Sequence, residues 1–362
     1  MTLFTLALLG ALTSRNSASM KALTLVDYKK FEYGDATDPI VGKKDVLVDV
    51  KACGICGSDV HGMDGSTGRR RPPIIMGHEA SGVVVEVGDE VTEWKSGDRV
   101  TFDSTTYCGE CHYCEKGLVN LCGNRQVIGV SCEDYRRHGA FADRVVVPHF
   151  GVCSIPNGVS FEQAALAEPV SIALHGVSRL PISSGETGVV VGTGMIGLFL
   201  VQALKAAGCD YVFAIDLAED KLALARELGA DQTLVPGKDD IVGAVKDATD
   251  GEGAHVSVEA VGVTDTVCLA IDVLRKGGAT CLVGNLAPEI NFPLQSVVTR
   301  ELAVLGSCAS AGEYSLALEA VASGKIKVDP IISAVVDLKD GASWFDRLRK
   351  NTEGLLKVVL QP

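Results

Sequence analysis

The sequence predicts an α/β protein with two domains, one β-rich and the other doubly wound around a parallel sheet. Two patterns of apolar residues carry this prediction. Residues 20 to about 165 contain short β-rich runs separated by Gly, Pro and Asp turns, without a long amphipathic helix. From residue 166 to about 305, short apolar strands alternate with helical stretches, as in βαβ units. A length of 362 residues also exceeds what one hydrophobic core usually serves.

The β-rich runs are predicted strands because they are rich in β-branched residues and end at turn formers. In chain order they are "MKALTLVDY", "DVLVDVKA", "ASGVVVEVGDEV", "DRVTF" and "DRVVVP". Beyond about residue 306, the helical stretch "EYSLALEAVASGK" is followed by "PIISAVVDL" and "GLLKVVLQP", which we expect to return to the first domain. We therefore assign residues 20–165 and 306–362 to a catalytic domain and 166–305 to a coenzyme domain.

Residues 1–19 form an N-terminal extension with two interpretations. The run "LFTLALLGAL" with small residues after it resembles a signal-peptide core, but the positive n-region is missing. Met20 opens a natural first strand, so a mis-assigned start codon explains the extension at least as well. No other apolar run reaches the roughly 18 residues that a membrane span needs. We expect a cytoplasmic protein without a membrane partner.

Charge and cysteine usage narrow the function classes. The chain has 46 acidic and 33 basic residues, and its net charge of −13 repels phosphate backbones, so nucleic-acid binding is not expected. Twelve cysteines in a chain of this length are too few for a small disulfide scaffold. A metal-binding or catalytic role is the usual intracellular use of clustered cysteines.

A G-x-G-x-x-G motif follows the apolar strand "GVVV" and opens the helix "MIGLFLVQALKAAG". Gly192, Gly194 and Gly197 allow a tight turn, close approach of a pyrophosphate, and close packing of helix on strand. About 20 residues further on, Asp216 ends the next strand, where a carboxylate accepts hydrogen bonds from ribose hydroxyls. Leu217 follows it, without an arginine to meet a 2′-phosphate, so NAD is predicted rather than NADP.

The first domain carries candidate metal ligands. The segment "CGICGSDVH" contains Cys56, Ser58 and His61, and "MGHEASG" places His78 beside Glu79. A thiolate, an imidazole and a carboxylate are ligand types that zinc accepts, and three protein ligands with an open position are typical of a catalytic site. A lone histidine or glutamate before a strand is more often a satisfied polar residue. Their joint occurrence favours a metal site.

The segment "YCGECHYCEKGLVNLC" holds four cysteines with the spacing C-x2-C-x2-C-x7-C. This spacing lets one loop place four thiolates tetrahedrally around an ion. Disulfides are the alternative, but they require an oxidising compartment and leave eight other cysteines to explain. The four residues are Cys108, Cys111, Cys114 and Cys122.

These motifs in this order resemble the zinc-containing medium-chain dehydrogenases, as do "GHEASGVVVEVG", "GDRV" and "GICGSD". The likeness covers nearly everything from Met20 to Pro362. The His-Glu pair and "ALAEPVSIALHG" are similar to the polyol (sorbitol-type) dehydrogenases within that family. The resemblance implies a GroES-like catalytic domain, a Rossmann coenzyme domain, and a homo-oligomer, either a dimer or a homotetramer.

The resemblance also implies roles for individual residues. It implies a catalytic zinc on Cys56, not Cys53, with His78 and Glu79, and it adds Glu168 as a fourth partner, bound directly or through water. It implies a structural zinc on the four-cysteine segment. To the glycines and Asp216 of the coenzyme site it adds Met195, Ile196, Lys221, Val283 and Gly284.

Together these parts predict hydride transfer from a secondary alcohol to NAD. The metal lowers the pKa of the substrate hydroxyl, and Ser58 and His61 are suited to relay the proton to solvent. A sugar alcohol of the sorbitol, L-iditol or galactitol type is expected. Gly62 and the loop "SCASAGEY" depart from the sorbitol-type pattern, so a phosphorylated polyol, L-threonine and diols stay open. The alternative outside enzymes is an NAD-binding zinc sensor.

The segment "GRRRPP" holds the densest positive cluster of this acidic chain. Its arginines are Arg69, Arg70 and Arg71. Guanidinium groups match phosphate oxygens in bidentate geometry, so the cluster is a candidate contact for a phosphorylated substrate. A charge run is more often a solvated surface, and both interpretations stay open.

Overall fold

The computed structural model describes residues 19–131 and 135–362. Residues 1–18 of the N-terminal extension lie outside the described residues, and so does Cys132. Ser19 begins the first strand. Among the helices of the described residues, none is both long and apolar enough to cross a membrane.

Eighteen strands occur in the described residues, and most end at glycine, proline or acidic turn residues. In chain order they are β1 (Ser19–Asp27), β2 (Lys30–Thr37), β3 (Asp45–Gly54), β4 (Ile74–Ile75), β5 (Glu79–Val87), β6 (Arg99–Phe102), β7 (Thr105–Thr106), β8 (Gln126–Val127), β9 (Arg144–Pro148), β10 (Val152–Ser154), β11 (Thr187–Val191), β12 (Tyr211–Ile215), β13 (Gln232–Leu234), β14 (Ala254–Glu259), β15 (Leu274–Leu282), β16 (Ala303–Gly306), β17 (Ile332–Asp337) and β18 (Lys357–Gln361).

Eleven α-helices occur in the same residues. They are α1 (Gly57–Gly62), α2 (His112–Glu115), α3 (Phe161–Ala165), α4 (Ala167–Ser178), α5 (Met195–Ala207), α6 (Glu219–Glu227), α7 (Ile241–Asp247), α8 (Thr264–Asp272), α9 (Leu294–Thr299), α10 (Tyr314–Ala322) and α11 (Gly341–Lys350). Short 3-10 turns cover Val119–Leu121, His149–Gly151, Asp329–Ile331 and Leu338–Asp340.

The β-rich part is built on a seven-stranded sheet in which β10, β6, β5, β3, β18 and β17 lie side by side. Strand β9 pairs with the first half of β3, and β18 pairs with its last two residues. A three-stranded sheet in the order β2, β1, β4 and a small β7–β8 sheet complete it. The last strand of the chain is therefore seated beside the strand that leads to Cys56.

The core of this part is filled from alternating positions of its strands. Along β3, Val46, Val48, Val50 and Ala52 are buried. Such alternation directs one face of a strand into the core, and each fully buried aliphatic side chain contributes roughly 1.5 to 3 kcal/mol. The core packing fixes which residues of β3 and β5 face each other, and so positions the residues that follow them.

The second sheet is entirely parallel, in the order β13, β12, β11, β14, β15, β16. This is the doubly wound order, in which ligands bind beyond the carboxyl ends of the strands, where the order reverses between β11 and β14. All five residues of β11 are buried, because helices cover both faces of such a sheet. The predicted fold class is confirmed.

Helix α4 joins the two parts of the molecule. It packs on α5 and α10 and contacts both β5 of the first sheet and β15 of the second. Pro169 lies in its first turn, where the missing N–H would have had no helical partner. Glu168 lies in the first turn and His175 in the last, so this one helix carries polar groups at both ends.

Candidate metal and coenzyme sites

Cys56, His78 and Glu79 lie together, with their ligand atoms within 4.8 Å of one another. Pairing of β3 with β5 sets this cluster, because Gly54 at the end of β3 faces Glu79 at the start of β5. Cys56 then follows β3, and His78 immediately precedes β5. The sheet register therefore assembles the cluster.

Cys56 occupies the N-cap of α1, where its Sγ atom accepts hydrogen bonds from the Ser58 amide at 3.4 Å and the Ser58 hydroxyl at 3.2 Å. These two hydrogen bonds fix the position of the sulfur at the start of α1. Cys53 is different. Burial raises the pKa of the Cys53 thiol well above its ordinary value, and it is 1% exposed, within the core. This geometry supports Cys56 as the ligand.

Lys357, on β18, is fully buried and pairs with Glu79. Its Nζ atom contacts Glu79 Oε2 and donates to the Ile55 carbonyl at 3.0 Å. Burial opposes the charge of Lys357, but Glu79 and Cys56 outweigh it and raise the pKa of the ammonium group. Sequence reasoning missed this residue. The only signal was a lysine directly before the apolar run "VVL".

Asp59 is a second buried charge beside the cluster. Its Oδ1 atom accepts from Arg70 Nε at 3.0 Å and Nη2 at 2.7 Å, and its Oδ2 atom lies 3.4 Å from His78 Nδ1. Burial opposes ionisation of Asp59, but the charges of His78 and Arg70 outweigh it and hold its pKa well below the ordinary value. Because His78 Nδ1 faces Asp59, Nε2 is the ring nitrogen left for a metal.

Arg70 differs from what the sequence suggested. It is 4% exposed and engaged by Asp59, and Nη2 also donates to the Ser58 hydroxyl at 3.3 Å. It therefore does not belong to an exposed cluster with its neighbours. Arg69 is exposed, and the main-chain N–H of Arg71 donates to Ser131 Oγ at 2.7 Å.

The three predicted catalytic residues, Glu168, Ser58 and His61, differ in burial and in their distance from the metal-ligand cluster. Glu168 lies outside the group of ligand atoms within 4.8 Å, but burial and the charge of Glu79 raise its pKa to about 7, which places it in the same electrostatic environment. The Ser58 hydroxyl touches the Cys56 sulfur at 3.2 Å. His61 lies exposed in the last turn of α1.

The buried cluster fits a zinc ion. Glu79 Oε1 is buried and has no hydrogen-bond partner, while its Oε2 atom is held by Lys357. A buried carboxylate oxygen without a partner is costly unless a cation meets it. Sulfur, imidazole nitrogen and carboxylate oxygen together are a donor set that zinc accepts.

The four-cysteine segment forms a second cluster, described by its sulfur positions. The Sγ atoms lie 3.5 Å apart for Cys111 and Cys114, 3.6 Å for Cys108 and Cys122, and 3.8 Å for Cys111 and Cys122. Tetrahedral Zn–S bonds of about 2.3 Å place sulfurs about 3.8 Å apart, so the cluster fits zinc. All four cysteines are free thiols, which argues against the disulfide alternative.

Backbone amides prepare this cluster for a cation. Hydrogen bonds from the amides of Cys114 and Gly123 lower the pKa of Cys111 to about 6, and the amide of Glu110 lowers that of Cys108. Desolvation acts the other way on Cys114, whose pKa is raised to about 12. The loop itself therefore favours thiolates at two of the four positions.

The glycine motif has the geometry of a dinucleotide loop. Gly192 has φ +90°, and a Cβ atom on it would approach Val261 Cγ2 to 2.4 Å. A Cβ atom on Gly197 would lie 1.8 Å from the Gly192 carbonyl oxygen, so only glycine permits this packing of α5. A Cβ atom on Gly194 would meet nothing within 4 Å. The open space at Gly194 fits a bound pyrophosphate.

The other residues predicted for the coenzyme site lie on the elements that follow this loop and the neighbouring strands. Asp216 accepts from the amide of Thr193 at 2.7 Å and that of Ala218 at 3.0 Å, which fixes its carboxylate beside the glycine motif. The other members lie at element ends: Met195 and Ile196 begin α5, Lys221 lies in α6, and Val283 and Gly284 follow β15.

Glu259 is a further residue that sequence reasoning missed. It ends β14 fully buried, and its Oε1 atom accepts from the amides of Val261 at 2.8 Å and Gly262 at 2.7 Å. Its carbonyl accepts from the amides of Val283 and Gly284 at 2.9 and 3.0 Å. Glu259 thus fixes two loops at the carboxyl edge of the sheet.

Comparison with known families matches both parts of the chain. Residues 42–157 match the alcohol dehydrogenase GroES-like domain, and residues 196–323 match the zinc-binding dehydrogenase domain. The two matches cover the metal clusters and most of the parallel sheet.

Similar individual proteins are dehydrogenases and reductases. D-xylulose reductase A of Aspergillus niger is 33% identical over 346 residues, which are 93% of this chain and 96% of that protein. D-arabitol-phosphate dehydrogenase of Enterococcus avium is 32% identical over 340 residues, 92% of this chain and 94% of that protein. A zinc-binding dehydrogenase of Sinorhizobium meliloti 1021, solved with NADP, superposes with a TM-score of 0.87 at 33% identity and covers 95% of this chain and all of that one.

Proposed function

We propose a substrate class and a coenzyme from one premise: the chain belongs to the zinc-containing medium-chain dehydrogenases, among the polyol dehydrogenases. It is a zinc- and nicotinamide-dependent oxidoreductase that acts on CH–OH donors. We propose that its substrate is a sugar alcohol, oxidised at a secondary hydroxyl to the ketose. The observation that carries this proposal is the cluster of half-buried Cys56 with buried His78 and Glu79, in which Glu79 Oε1 has no partner.

The residues around the cluster have distinct roles in this proposal. Zinc held by the cluster supplies Lewis acidity that lowers the pKa of the substrate hydroxyl. Ser58 accepts the released proton beside Cys56, and His61 passes it to solvent from the exposed end of α1. Glu168 can be either protonated or ionised near neutral pH, because its pKa is about 7.

We propose NAD as the coenzyme, in the site formed by the glycine motif. The Asp216 carboxylate is fixed by two backbone amides where a 2′-phosphate would add further negative charge. We expect kcat/KM to favour NAD over NADP by at least about tenfold, which corresponds to about 1.4 kcal/mol. Asp216→Ala should reduce the preference, and Asp220→Ala, at an exposed position of α6, is the matched control. Equal kcat/KM for both coenzymes in the parent would contradict the assignment.

The substrate class is tested by following NADH formation with polyols, polyol phosphates, L-threonine and diols at equal concentration. We expect polyols or their phosphates to be oxidised with the highest kcat/KM. Turnover of L-threonine or a diol alone would replace the proposed substrate. NADH binding without turnover of any member would favour an NAD-binding zinc sensor.

A phosphorylated polyol is the second candidate, because Arg69 is exposed on the segment between His61 and His78 and a similar protein is a D-arabitol-phosphate dehydrogenase. Charge-assisted contacts of about 1.5 to 3 kcal/mol each would favour the phosphorylated polyol by roughly ten- to a hundredfold in kcat/KM. Arg69→Ala with Arg71→Ala should remove that preference and spare the neutral polyol, whereas the exposed Arg349→Ala should not. An unchanged preference would return the choice to a neutral polyol.

The domain organisation and assembly are part of the proposal. We propose a catalytic domain of residues 20–165 and 306–362 and a coenzyme domain of 166–305, in a cytoplasmic homo-oligomer that is a dimer or tetramer. The edge strand β16 and the neighbouring α9 support a contact between copies. Helix α9 buries none of its residues, and Leu294 and Val298 are 65% and 64% exposed. Light scattering of the purified protein tests this, and a monomer would contradict it.

A further inference from the structure

A buried chain of polar contacts joins the four-cysteine segment to α4. Asn120 lies between Cys114 and Cys122 and is 5% exposed. Its Nδ2 atom donates to the Cys308 carbonyl at 2.8 Å and lies 3.3 Å from Nε2 of His175. The Asn120 side-chain atom that faces the Cys308 carbonyl must be the amide nitrogen, because an amide oxygen cannot donate. His175 Nε2, which faces the same nitrogen, is therefore an acceptor.

The other side of His175 is held by Glu313. His175 Nδ1 lies 2.7 Å from Glu313 Oε1, and Glu313 Oε2 accepts from the Ala311 amide. A carboxylate accepts, so Nδ1 carries the proton, and both ring nitrogens are matched by their partners. We name Asn120, His175 and Glu313 the junction clamp. It ties the four-cysteine segment, α4 and the loop before α10 together.

Helix α4 transmits the position of the clamp towards both reactive parts of the site. At its far end it carries Glu168, beside the catalytic cluster. Next to His175, Gly176 packs so closely that a Cβ atom would lie 2.9 Å from Val283 Cγ2 and 3.8 Å from Ser307 Oγ. Val283 follows β15 at the carboxyl edge of the sheet, where the coenzyme is proposed to bind. The packing of Gly176 therefore links the position of α4 to Val283 in the proposed coenzyme site.

We propose that the junction clamp couples metal binding in the four-cysteine segment to coenzyme binding, with Asn120 and His175 as positioning residues. This inference rests on the proposed coenzyme site. Metal binding fixes the loop that carries Asn120, Asn120 and Glu313 fix His175, and α4 then presents Gly176 to Val283. The four-cysteine segment then contributes to coenzyme binding through α4 as well as to stability.

Such coupling is reciprocal: if a loaded segment strengthens coenzyme binding by some factor, bound coenzyme strengthens metal retention by the same factor. The experiment measures alkylation of Cys108 and Cys111 by mass spectrometry in the presence of a chelator, with and without saturating NADH. We expect NADH to slow alkylation by about fivefold in the parent, the lower end of typical coupling. His175→Phe, which keeps the ring volume but lacks both polar contacts, should remove this protection.

His255→Phe is the control, because His255 accepts a hydrogen bond from the Thr187 amide at 3.1 Å near the start of β14, at the end of the parallel sheet opposite the proposed coenzyme site. It should keep the NADH protection. Should His175→Phe fold poorly, Glu313→Gln keeps the shape and removes the charge that fixes His175, and its protection should fall as well. NADH titrations should show weaker binding to both clamp variants, with metal content unchanged.

A double-mutant cycle separates coupling from simple stabilisation. Cys111→Ser and His175→Phe should each weaken NADH binding, and the double variant should be no weaker than the worse single variant. Additive losses would overturn the coupling, as would NADH protection that survives in both His175→Phe and Glu313→Gln. A parent that binds NADH but shows no protection overturns the coupling alone. A parent that binds no nicotinamide coenzyme overturns the proposed function and the coupling together.

Discussion

The two metal-ligand clusters are built in opposite ways. Four cysteines come from one segment, residues 108–122, and its own backbone amides stabilise the thiolates of Cys108 and Cys111. The catalytic cluster takes Cys56 and the His78–Glu79 pair from beside two paired strands, and it depends on Lys357, which lies 278 residues beyond Glu79 in the chain. The first cluster is therefore local, whereas the second requires β3, β5 and β18 to be paired in one sheet.

Their electrostatic surroundings differ accordingly. Around the catalytic cluster, full charges are buried in pairs, with Lys357 on Glu79 and Arg70 on Asp59. Removing one member of a buried pair leaves an uncompensated charge, which is far costlier than losing an exposed pair. We therefore expect the catalytic cluster to be sensitive to single substitutions at distant positions, and the four-cysteine segment to be sensitive to changes within itself.

The largest effect is expected for Lys357→Met. Glu79 would lose its buried partner, and the free energy of unfolding should fall by about 3–5 kcal/mol. Binding of the catalytic zinc should weaken because Glu79 is no longer held, so metal analysis should fall from about two towards about one zinc per chain. Thermal unfolding and metal content check this expectation.

Lys339→Met is the control for Lys357→Met, because Lys339 pairs with Asp337 at 2.6 Å with both side chains more than half exposed. An exposed pair contributes about 0–1 kcal/mol, so little should change. Lys357→Arg restores the charge and should recover most of the metal. If the methionine variant keeps both zinc ions and its melting temperature, the buried pair does not support the cluster.

An intermediate effect is expected for Cys111→Ser. Loss of one thiolate should release the metal of the four-cysteine segment and lower the free energy of unfolding by about 2–4 kcal/mol. The kcat for a polyol should change little at saturating coenzyme, because the catalytic cluster is assembled from other elements. Cys268→Ser, outside both clusters, should alter neither zinc content nor stability. A large loss of kcat in protein that is still folded would mean that the four-cysteine segment also supports the catalytic cluster.

The sequence predicted what depends on neighbours along the chain. The four-cysteine spacing and the glycine motif are local patterns, and the roles inferred for Gly192 and Gly197 match the close contacts that their Cβ atoms would make. Alternation of apolar runs was enough for the fold class. Contacts between distant segments were not predictable: the partner of Glu79 lies on the last strand, and the partners of His175 lie on two separate loops.

The arginine segment shows the same limit. Three adjacent arginines look equivalent in the sequence, yet Arg70 is buried against Asp59, whereas Arg69 is exposed. Which arginine turns inward depends on where α1 places Asp59, and no local pattern encodes that. The catalytic zinc is tested by Lys357→Met, and the relay through Ser58 and His61 and the role of Glu168 stay predictions.

The smallest effect is expected at Asp103, which directly follows β6. Burial, with a contribution from the charge of Glu313, raises its pKa to about 6, while its Oδ1 atom accepts from the Thr105 amide at 2.8 Å. Because the folded pKa exceeds the unfolded one, the folded protein keeps this proton longer, so stability falls as pH rises from about 4 to about 6 and stays reduced above. Asp103→Asn keeps the acceptor and removes the charge, and should raise the free energy of unfolding by about 1–2 kcal/mol at pH 8 and about half of that at pH 5.

Asp89→Asn, at an exposed position, should show no such difference. Denaturant unfolding at the two pH values decides. An equal gain at both values, or no gain at pH 8, would contradict the raised pKa of Asp103, and the electrostatic contrast between the two clusters would then be confined to the residues nearest each of them.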